Sequence, residues 1–325
     1  MILVDTIYIH SYGGRILLEY LIESITERKF LKKFMFFFDE RLEFEENFVL
    51  PRHVKVKPNH FSRKKAYQNL KANVDTIFCL ANVPPPIKLD KKVYIYFHNL
   101  LLLKKTSFNS LLRYYYLRFF NNSDYIWIVQ TEYLKNMLSK RLKIRHIDIL
   151  KIPFFKTNDI KTSKKDFNDK NLNFICVTSN LKHKNVNNLI KAFMNVKSKK
   201  NIKLFITMDG SNLTKGGIEI IFTGIINRIK LMDLYSKAHF LIFPSTHESL
   251  GLPIIEAIKS GSKVIVSKIP TFKEICKTEY FFNPHNNNEM KASIEKACSD
   301  KNESMPHLLI DDKVNDLINK LVENV

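Results

Sequence analysis

The sequence predicts an α/β protein made of two domains with parallel sheets. Short apolar runs alternate with amphipathic helical patterns along the 325 residues, as in successive βαβ units. This length exceeds what one hydrophobic core usually supports. A polar, charged stretch at 156–172 interrupts the alternation. We therefore predict a first Rossmann-like domain at 1–155, a linker at 156–172 and a second Rossmann-like domain at 173–325, with the option that the last helix packs back on the first domain.

The apolar runs and helical patterns place the elements along each domain. In the first domain, strands are predicted at 2–9, 34–38, 76–80, 93–97 and 125–129, and helices near 15–26, 63–71, 107–119 and 132–141. In the second domain, strands are predicted at 174–177, 203–207, 218–222, 240–243 and 264–267, and helices near 186–196, 230–237, 253–260, 288–297 and 313–322. Ligands of open α/β sheets bind beyond the carboxyl ends of the strands, so we expect the functional residues there.

The composition limits the classes of protein that the chain can represent. The net charge of +20 is shared by both halves and has two interpretations: a polyanionic partner, or a lysine-, asparagine- and isoleucine-rich composition with no partner. Four well-separated cysteines form no C-x-x-C pair, which argues against a zinc cluster or a disulfide framework. We see no run of about 18 apolar residues that could span a membrane and no secretory signal. We expect a cytoplasmic protein.

The segment 243–261, FPSTHESLGLPIIEAIKSG, is the most informative part of the chain. Glu248 lies in a loop at the carboxyl end of a strand, and Pro253 suits the first turn of a helix. The start of that helix carries unpaired backbone N–H groups, which favour a phosphate group. Glu256 interrupts the apolar face of the same helix, so we expect this carboxylate to have a partner.

This segment resembles the E-x7-E signature of retaining glycosyltransferases with the GT-B architecture, in the large bacterial group often called family 4. The resemblance covers residues from about 13 to 261 and implies two Rossmann-like domains that face each other across a cleft. It implies that Glu248 lies at the donor sugar and that Glu256 holds the ribose hydroxyls. It also implies that the backbone amides of Ser249, Leu250, Gly251 and Leu252 meet the donor diphosphate.

Lys184 lies in a polar loop between a strand and a helix, where a cation faces a helix amino end. The loop is similar to the H-K-N variant of the family, which implies that Lys184 contacts the diphosphate. Many relatives have an arginine five residues earlier, but Ser179 stands there in this chain. Lys182 is the candidate that would compensate for this missing cation.

Two further motifs of the first domain resemble the family pattern. His98 follows the strand at 93–97, and the resemblance implies that it faces the donor sugar. Protonation near neutral pH would let it stabilise a charge or donate a hydrogen bond; the alternative is a structural histidine at a strand end. Gly13 and Gly14 are expected between the first strand and a helix that opens near Arg15. The resemblance places Gly14 near the diphosphate and the acceptor.

Two loops of the second domain are predicted to line the donor pocket. Gly224 and Ile225 follow the strand at 218–222, and the resemblance implies that they frame the nucleotide base. Asp209 and Gly210 follow the strand at 203–207 and are expected in the same pocket. Each of these residues could also simply end a strand.

Several other chemistries do not fit the sequence. His247 has no second histidine four residues on, so a zincin helix is excluded, and neither a P-loop nor a G-x-G-x-x-G fingerprint occurs. No G-x-S-x-G elbow occurs either. The D-x-D pattern is absent as well, which suits a donor diphosphate neutralised by Lys184 and helix amides without a metal or other cofactor.

The resemblance implies a retaining, hexosyltransferase-type enzyme that moves a sugar from a UDP- or GDP-sugar to a saccharide or polyprenyl-linked acceptor. The expected setting is synthesis of O-antigen or capsule, at the inner face of the cytoplasmic membrane. Aromatic and basic segments at 61–67 and 100–120 have two interpretations: an anionic membrane surface, or core aromatic residues with a solvated basic face. Two alternatives stay open: a catalytically silent GT-B partner subunit, and a basic nucleic-acid-binding protein, for which no motif is present.

Overall fold

The chain folds into two compact units in the computed structural model, which describes residues 1–10, 12–70, 73–103, 108–157, 159–299 and 304–323. The first unit contains Met1–Lys156 and Asp311–Val325, and the second contains Thr157–Ile310. The segment at 156–172 was expected as a linker, but all of it except Lys156 groups with the second unit. It does so because it is hydrogen-bonded there, as in the bond from the Thr162 hydroxyl to the Lys259 carbonyl.

The first unit alternates strands and helices. Its strands are β1 Ile2–Asp5, β2 Phe34–Asp39, β3 His53–Val56, β4 Thr76–Cys79, β5 Lys92–Phe97, β6 Ile126–Val129 and β7 Ile149–Lys151. Its helices are α1 Tyr12–Glu27, α2 His60–Gln68, α3 Phe108–Phe119 and α4 Glu132–Leu142, followed at the end of the chain by Val314–Val322. Helix α1 begins before the glycine pair, so Gly13 and Gly14 lie in its first turn and not ahead of it as expected.

The second unit repeats the pattern. Its strands are β8 Asn171–Cys176, β9 Asn201–Ile206, β10 Leu213–Lys215, β11 Ile218–Phe222, β12 Phe240–Phe243, β13 Lys263–Ser267, β14 Cys276–Lys277, β15 Tyr280–Phe282 and β16 His307–Leu308. Its helices are α5 Val186–Phe193, α6 Arg228–Lys237, α7 Leu252–Lys259, α8 Pro270–Ile275 and α9 Asn287–Ser299, so that the helix at Val314–Val322 is α10.

Each unit is built on one large sheet of seven strands within the described residues. The first sheet has the order β3-β2-β1-β4-β5-β6-β7 and is parallel throughout. The second has the order β10-β11-β9-β8-β12-β13-β15, in which only the edge pair β10-β11 is antiparallel. The predicted α/β class with parallel sheets is confirmed.

Both sheets are covered by helices on both faces, which explains why their central strands are almost wholly apolar. All residues of β1, β2, β4 and β12 are buried. Helix α10 packs into the core of the first unit through Leu317 and Leu321, beside residues of α1. The Asp312 carboxylate secures this return, because it accepts hydrogen bonds from the Phe155 N–H at 3.1 Å and the Tyr20 hydroxyl at 2.5 Å.

Strand order locates the point at which ligands bind in such sheets. In the second unit the chain moves outward from β8 to β9 and β11, and then resumes on the other side of β8 with β12. The loops after β8 and β12 therefore diverge at the carboxyl edge of the sheet and leave a crevice, the usual ligand position of doubly wound folds. In the first unit the equivalent point lies between β1 and β4.

Candidate active site

The loops after β8 and β12 bring together a lysine and a glutamate that the sequence analysis placed in one site. Lys184 Nζ lies 2.6 Å from Glu248 Oε1, and the two side chains are only 18% and 15% exposed. The same ammonium lies 5.2 Å from the centre of the Phe243 ring. An ion pair is thus partly shielded from water at the switch point of the second sheet.

Hydrogen bonds between the two loops fix this pair. The Thr246 N–H donates to the His183 carbonyl at 2.8 Å. The Asn185 side chain donates to the carbonyls of Pro244 at 3.3 Å and Pro284 at 2.7 Å. Asn185 has a φ of +61°, a left-handed conformation that asparagine tolerates better than most residues. Lys184 therefore ends a short 3₁₀ turn, Lys182–Lys184, whose position is set by the neighbouring loop.

The loop from Glu248 to α7 provides the start of a helix without a side-chain cap. The Glu248 carbonyl accepts a hydrogen bond from the Thr271 hydroxyl at 2.8 Å. Gly251 precedes the helix with a φ of +85°, and Pro253 stands in the first turn. Leu250 is buried, whereas Ser249 and Leu252 are half-buried. The first turn of α7 is the kind of helix end that favours an anion.

We predict that Gly251→Ala lowers the free energy of unfolding by about 1–2 kcal/mol from the left-handed backbone alone, with a further loss from a clash. A methyl group there would lie 2.9 Å from Phe272 Cε1. Gly216→Ala is the matched control, because Gly216 has a φ of +58° and no atom within 4 Å of the added carbon. Urea unfolding of both variants separates the two contributions; equal losses would show that the Phe272 contact has no cost.

Glu256 has the partners that its position inside an apolar helix face demands. It is 5% exposed, its Oε1 accepts from Arg228 Nη1, and its Oε2 accepts from the Tyr235 hydroxyl at 2.9 Å. Arg228 also forms a two-point contact with Asp159, at 2.9 Å from Nε and 3.2 Å from Nη2. The expectation that this carboxylate has a partner is confirmed, although the sequence did not identify Arg228 or Asp159.

Glu256, Arg228, Asp159 and Tyr235 form one cluster, which we call the Arg228 cluster. For Glu256 and Arg228, burial and ion pairing shift the pKa in opposite directions. Burial raises the pKa of Glu256, and the charge and hydrogen bonds of Arg228 and Tyr235 oppose that rise. For Arg228, burial lowers the pKa, but its contacts with Asp159 and Glu256 outweigh burial and raise it overall. Burial and the Glu256 charge raise the pKa of the Tyr235 hydroxyl well above its ordinary value. Tyr235 is therefore a neutral donor to Glu256.

The two loops predicted to line the donor pocket lie side by side. Gly224 has a φ of +67°, and its N–H donates to the Met208 carbonyl at 3.2 Å. A methyl group added at Gly224 would lie 3.2 Å from Asp209 Oδ1. Ile225 is 83% exposed. The chain leads directly from these residues into α6, whose first residue is Arg228. Lys182, the candidate for the missing cation, is exposed on the turn that carries Lys184.

The first unit contains a cavity of about 750 Å³ at the carboxyl ends of β1, β4 and β5. Six of the residues that line it are Tyr8, Gly14, Asn82, His98, Arg113 and Tyr116. Aromatic rings and uncharged polar groups thus share the wall of this cavity with one arginine. Such a wall suits a ligand that carries both hydroxyl groups and apolar ring faces.

The structure corrects the expected protonation of His98. Burial lowers its pKa from 6.5 to about 4, so it is neutral near pH 7 and cannot act as a cation there. The Asn82 side-chain oxygen accepts a hydrogen bond from the backbone N–H of His98 at 2.7 Å. The side-chain nitrogen of Asn82 lies 3.3 Å from His98 Nε2. That amide therefore donates to Nε2, which places the ring proton on Nδ1. Nδ1 is buried with no hydrogen-bond partner among the described residues.

The segment at 61–67, a candidate interfacial surface, is exposed only in part. Arg63 and Tyr67 are fully buried, while Phe61, Lys64 and Lys65 are exposed. Arg63 can be buried because its guanidinium lies 2.7 Å from the Asp5 carboxylate of β1. Part of the segment at 100–120 lies outside the described residues.

The chain has the GT-B fold, which is the fold of the solved glycosyltransferase structures that it resembles. The WaaG structure, described as a glycosyltransferase involved in lipopolysaccharide biosynthesis, superposes with a TM-score of 0.71 at 14% identity and covers 99% of this chain and 100% of that one. Sucrose-phosphate synthase from Thermosynechococcus elongatus superposes with a TM-score of 0.70 at 15% identity, covering 92% and 90% of the two chains. These identities establish the fold alone.

Residues 158–310, which carry the Lys184, Glu248 and Glu256 contacts, match the family model described as glycosyl transferases group 1. The Escherichia coli serotype-specific mannosyltransferase WbdA is 36% identical over 84 residues, which is 26% of this chain and 10% of WbdA. The O-antigen chain mannosyltransferase RfbU of Salmonella typhimurium is 36% identical over 78 residues, or 24% of this chain and 22% of RfbU. The chain thus matches about a tenth and about a fifth of these two relatives.

Proposed function

We propose that the protein transfers a sugar from a nucleoside diphosphate sugar to a saccharide or lipid-linked saccharide acceptor. The observation that carries this proposal is the Lys184–Glu248 pair at the switch point of the second sheet. Glu256 lies one turn into the helix that follows the same loop. The match of residues 158–310 to glycosyl transferases group 1 supports the same chemistry.

The proposed roles follow from the charges around the crevice. The donor diphosphate lies against Lys184 and the amides that open α7, and Glu256 accepts hydrogen bonds from the ribose hydroxyls. Glu248 lies at the sugar and holds the Lys184 ammonium in place. When the sugar leaves, negative charge develops on the departing phosphate. Fixed donors aimed at that phosphate lower the barrier more than they tighten substrate binding.

The first unit is proposed to receive the acceptor. Its cavity offers aromatic rings and uncharged polar side chains. His98, at the wall of the same cavity, is proposed to face the donor sugar as a neutral side chain and not as a cation. Gly14, in the first turn of α1, allows a ligand to approach the backbone at the same wall.

By the family resemblance, we infer that transfer retains the anomeric configuration and needs no metal. The relatives WbdA and RfbU are named mannosyltransferases, and a HepE structure from Anabaena contains UDP and glucose. A hexose carried by UDP or GDP is therefore the proposed donor, and O-antigen or capsule synthesis the proposed setting.

The direct test is transfer of a labelled hexose from a panel of UDP- and GDP-sugars to lipid-linked saccharide acceptors. We expect release of one nucleoside diphosphate together with labelled lipid, and NMR of the product should show an unchanged anomeric configuration. Nucleotide binding without any turnover would identify the silent partner subunit instead. Retention of DNA at physiological salt with no nucleotide binding would favour the nucleic-acid-binding alternative.

A membrane-facing surface is proposed on α2 and α3, which we call the aromatic patch. It consists of Phe61, Leu112, Tyr115 and Phe119, which are 78%, 53%, 54% and 82% exposed. The three residues of α3 lie on one helix face because they are spaced by three and four. Basic residues, such as Arg118, flank the patch. Among the described residues, no helix has the length and apolar composition of a membrane span. The attachment proposed for the aromatic patch is peripheral.

We predict that the protein co-sediments with phosphatidylglycerol vesicles at low salt and is released as salt rises. The double substitution Tyr115→Ser/Phe119→Ser should reduce the bound fraction at each salt concentration. Ile147→Ser is the matched control, because Ile147 is 80% exposed elsewhere in the first unit. Equal loss in the control, or equal binding to neutral phosphatidylcholine vesicles, would contradict an anionic membrane surface at the aromatic patch.

A further inference from the structure

The Arg228 cluster is more elaborate than a ribose site requires. Two glutamate oxygens can accept a ribose diol without help, yet both oxygens of Glu256 already contact a donor from α6. The arginine that supplies one of them is held on its far side by Asp159. Arg228 thus bridges the carboxylates of two separate segments of the second unit.

This arrangement has a clear electrostatic consequence. A carboxylate that is 5% exposed loses most of its hydration and ionises only if a cation or several donors replace the water. Tyr235 supplies one neutral hydrogen bond, and Arg228 supplies the positive charge. Each carboxylate oxygen has two lone pairs, so each oxygen of Glu256 keeps one for a further donor.

We propose that Arg228 is a positioning residue that keeps Glu256 ionised and oriented, so that its free lone pairs accept both hydroxyls of a ribose diol. This inference deepens the proposed function and rests on it. It assigns the discrimination between ribonucleotide and 2′-deoxyribonucleotide donors to the pair Arg228–Glu256.

Other ionisable groups face this cluster and must be considered in any pH experiment. Asp159 and Tyr235 contact it directly, and Cys176 of β8 interacts with Tyr235; burial raises the pKa of Cys176 to about 12. Lys165 donates to the Tyr235 carbonyl at 3.0 Å, and burial lowers its pKa to about 8. Lys165 and the phosphates of the nucleotide titrate in the wild type and in variants alike. Their titration therefore cancels in the ratio of dissociation constants.

The test substitution is Arg228→Gln, measured by calorimetry with UDP and GDP between pH 6 and pH 9. Without the cation, Glu256 should be protonated at pH 6, because buried glutamates reach pKa values of about 8–9. The dissociation constant of the variant divided by that of the wild type should then be about tenfold larger at pH 6 than at pH 9. This factor corresponds to the loss of one charge-assisted hydrogen bond. At pH 6 the variant should also lose most of the preference for UDP over 2′-deoxy-UDP.

The melting temperature provides a second measurement, and it should change with pH in the opposite direction to the nucleotide affinity. A buried carboxyl whose pKa is higher in the folded state than in the unfolded state binds more protons when folded. Its contribution to stability is therefore lost as pH rises through that range. The melting temperature of the Arg228→Gln variant should fall relative to the wild type from pH 6 to pH 9, while its nucleotide affinity recovers. A local distortion would weaken both properties at every pH.

Arg145→Gln is the control for loss of an arginine–carboxylate pair, because Arg145 is 72% exposed and pairs with Asp148 in the other unit. If Arg228→Gln does not fold, the double variant Arg228→Gln/Glu256→Gln removes both charges; it should fold and show a ratio that does not change with pH. A ratio that is constant with pH in folded Arg228→Gln, or that varies with pH in the double variant, would overturn the proposal. Failure of the wild type to bind any nucleotide would instead contradict the proposed function.

Discussion

Replacing Glu248 by glutamine is expected to lower turnover by about 10²-fold or more, the typical effect of removing one electrostatic contact from a transition state. The substitution keeps the size of the side chain and removes the charge that lies 2.6 Å from Lys184 Nζ. Lys184 would lose its fixed position at the crevice, and the sugar would lose the carboxylate beside it. Initial rates with saturating donor and acceptor measure this effect.

Glu219→Gln is the matched control for this experiment. Glu219 pairs with Lys203 at 2.9 Å in the same unit, but its side chain is 46% exposed and lies on β11, whereas the crevice is formed by the loops after β8 and β12. Surface pairs of this kind contribute little, so its turnover should equal that of the wild type. Near-normal turnover of the Glu248→Gln enzyme, with folding verified by circular dichroism, would contradict the assigned role.

Replacing Arg63 by alanine is expected to lower the free energy of unfolding by about 3–5 kcal/mol, because it leaves a buried carboxylate without its cation. Arg63 and Asp5 are each 1% exposed and lie 2.7 Å apart. Arg63 also donates to the Pro84 carbonyl at 2.8 Å and to the Tyr116 hydroxyl at 3.2 Å, beneath the cavity of the first unit. Urea unfolding gives the loss directly.

Two comparisons make this prediction specific. The adjacent Lys64 is exposed, and Lys64→Ala should change stability by no more than about 0.5 kcal/mol. The double variant Asp5→Asn/Arg63→Met should be more stable than Arg63→Ala, because it removes the orphaned charge. A loss below about 1 kcal/mol for Arg63→Ala would mean that water reaches Asp5 and that the pair is not truly buried.

The fold was largely predictable because its central strands are long apolar runs. β2, β5 and β12 appear in the sequence as uninterrupted hydrophobic segments. Strand β3, His53–Val56, was not predicted. It is an edge strand of four residues in which only Val56 is buried, so neither length nor alternation distinguishes it from a loop. Its pairing with β2 comes from tertiary structure.

The candidate site was predictable where the residues belong to one local motif. Glu248, Glu256 and Lys184 lie next to strand ends and helix starts, which sequence patterns locate. Arg228 and Asp159 were missed because their contacts span 28 and 69 residues of the chain. No local pattern marks such a partner.

For His98, the position was predictable from the sequence but the protonation state was not. Its place at the end of β5 was predicted, but its protonation depends on the burial of the ring and on Asn82, which follows a different strand. Asn82 follows the end of β4 after Leu80 and Ala81, and this polar residue near a strand end was the available signal. The direction of the pKa change could not be derived without the packing around the ring.

The second unit is proposed to bind a nucleoside diphosphate between Lys184 and Glu256, and the thermal stability of the protein with and without UDP, GDP, ADP and CMP tests this binding. We predict that one nucleoside diphosphate stabilises the wild type by about 2.7 kcal/mol at about 100 times its Kd. At the same concentration, Lys184→Ala and Glu256→Gln should each lose about half of this stabilisation or more, while Lys203→Ala, at the exposed pair with Glu219, should keep it. Absence of stabilisation by all four nucleotides, or equal stabilisation of the Lys184 and Glu256 variants, would contradict the claim.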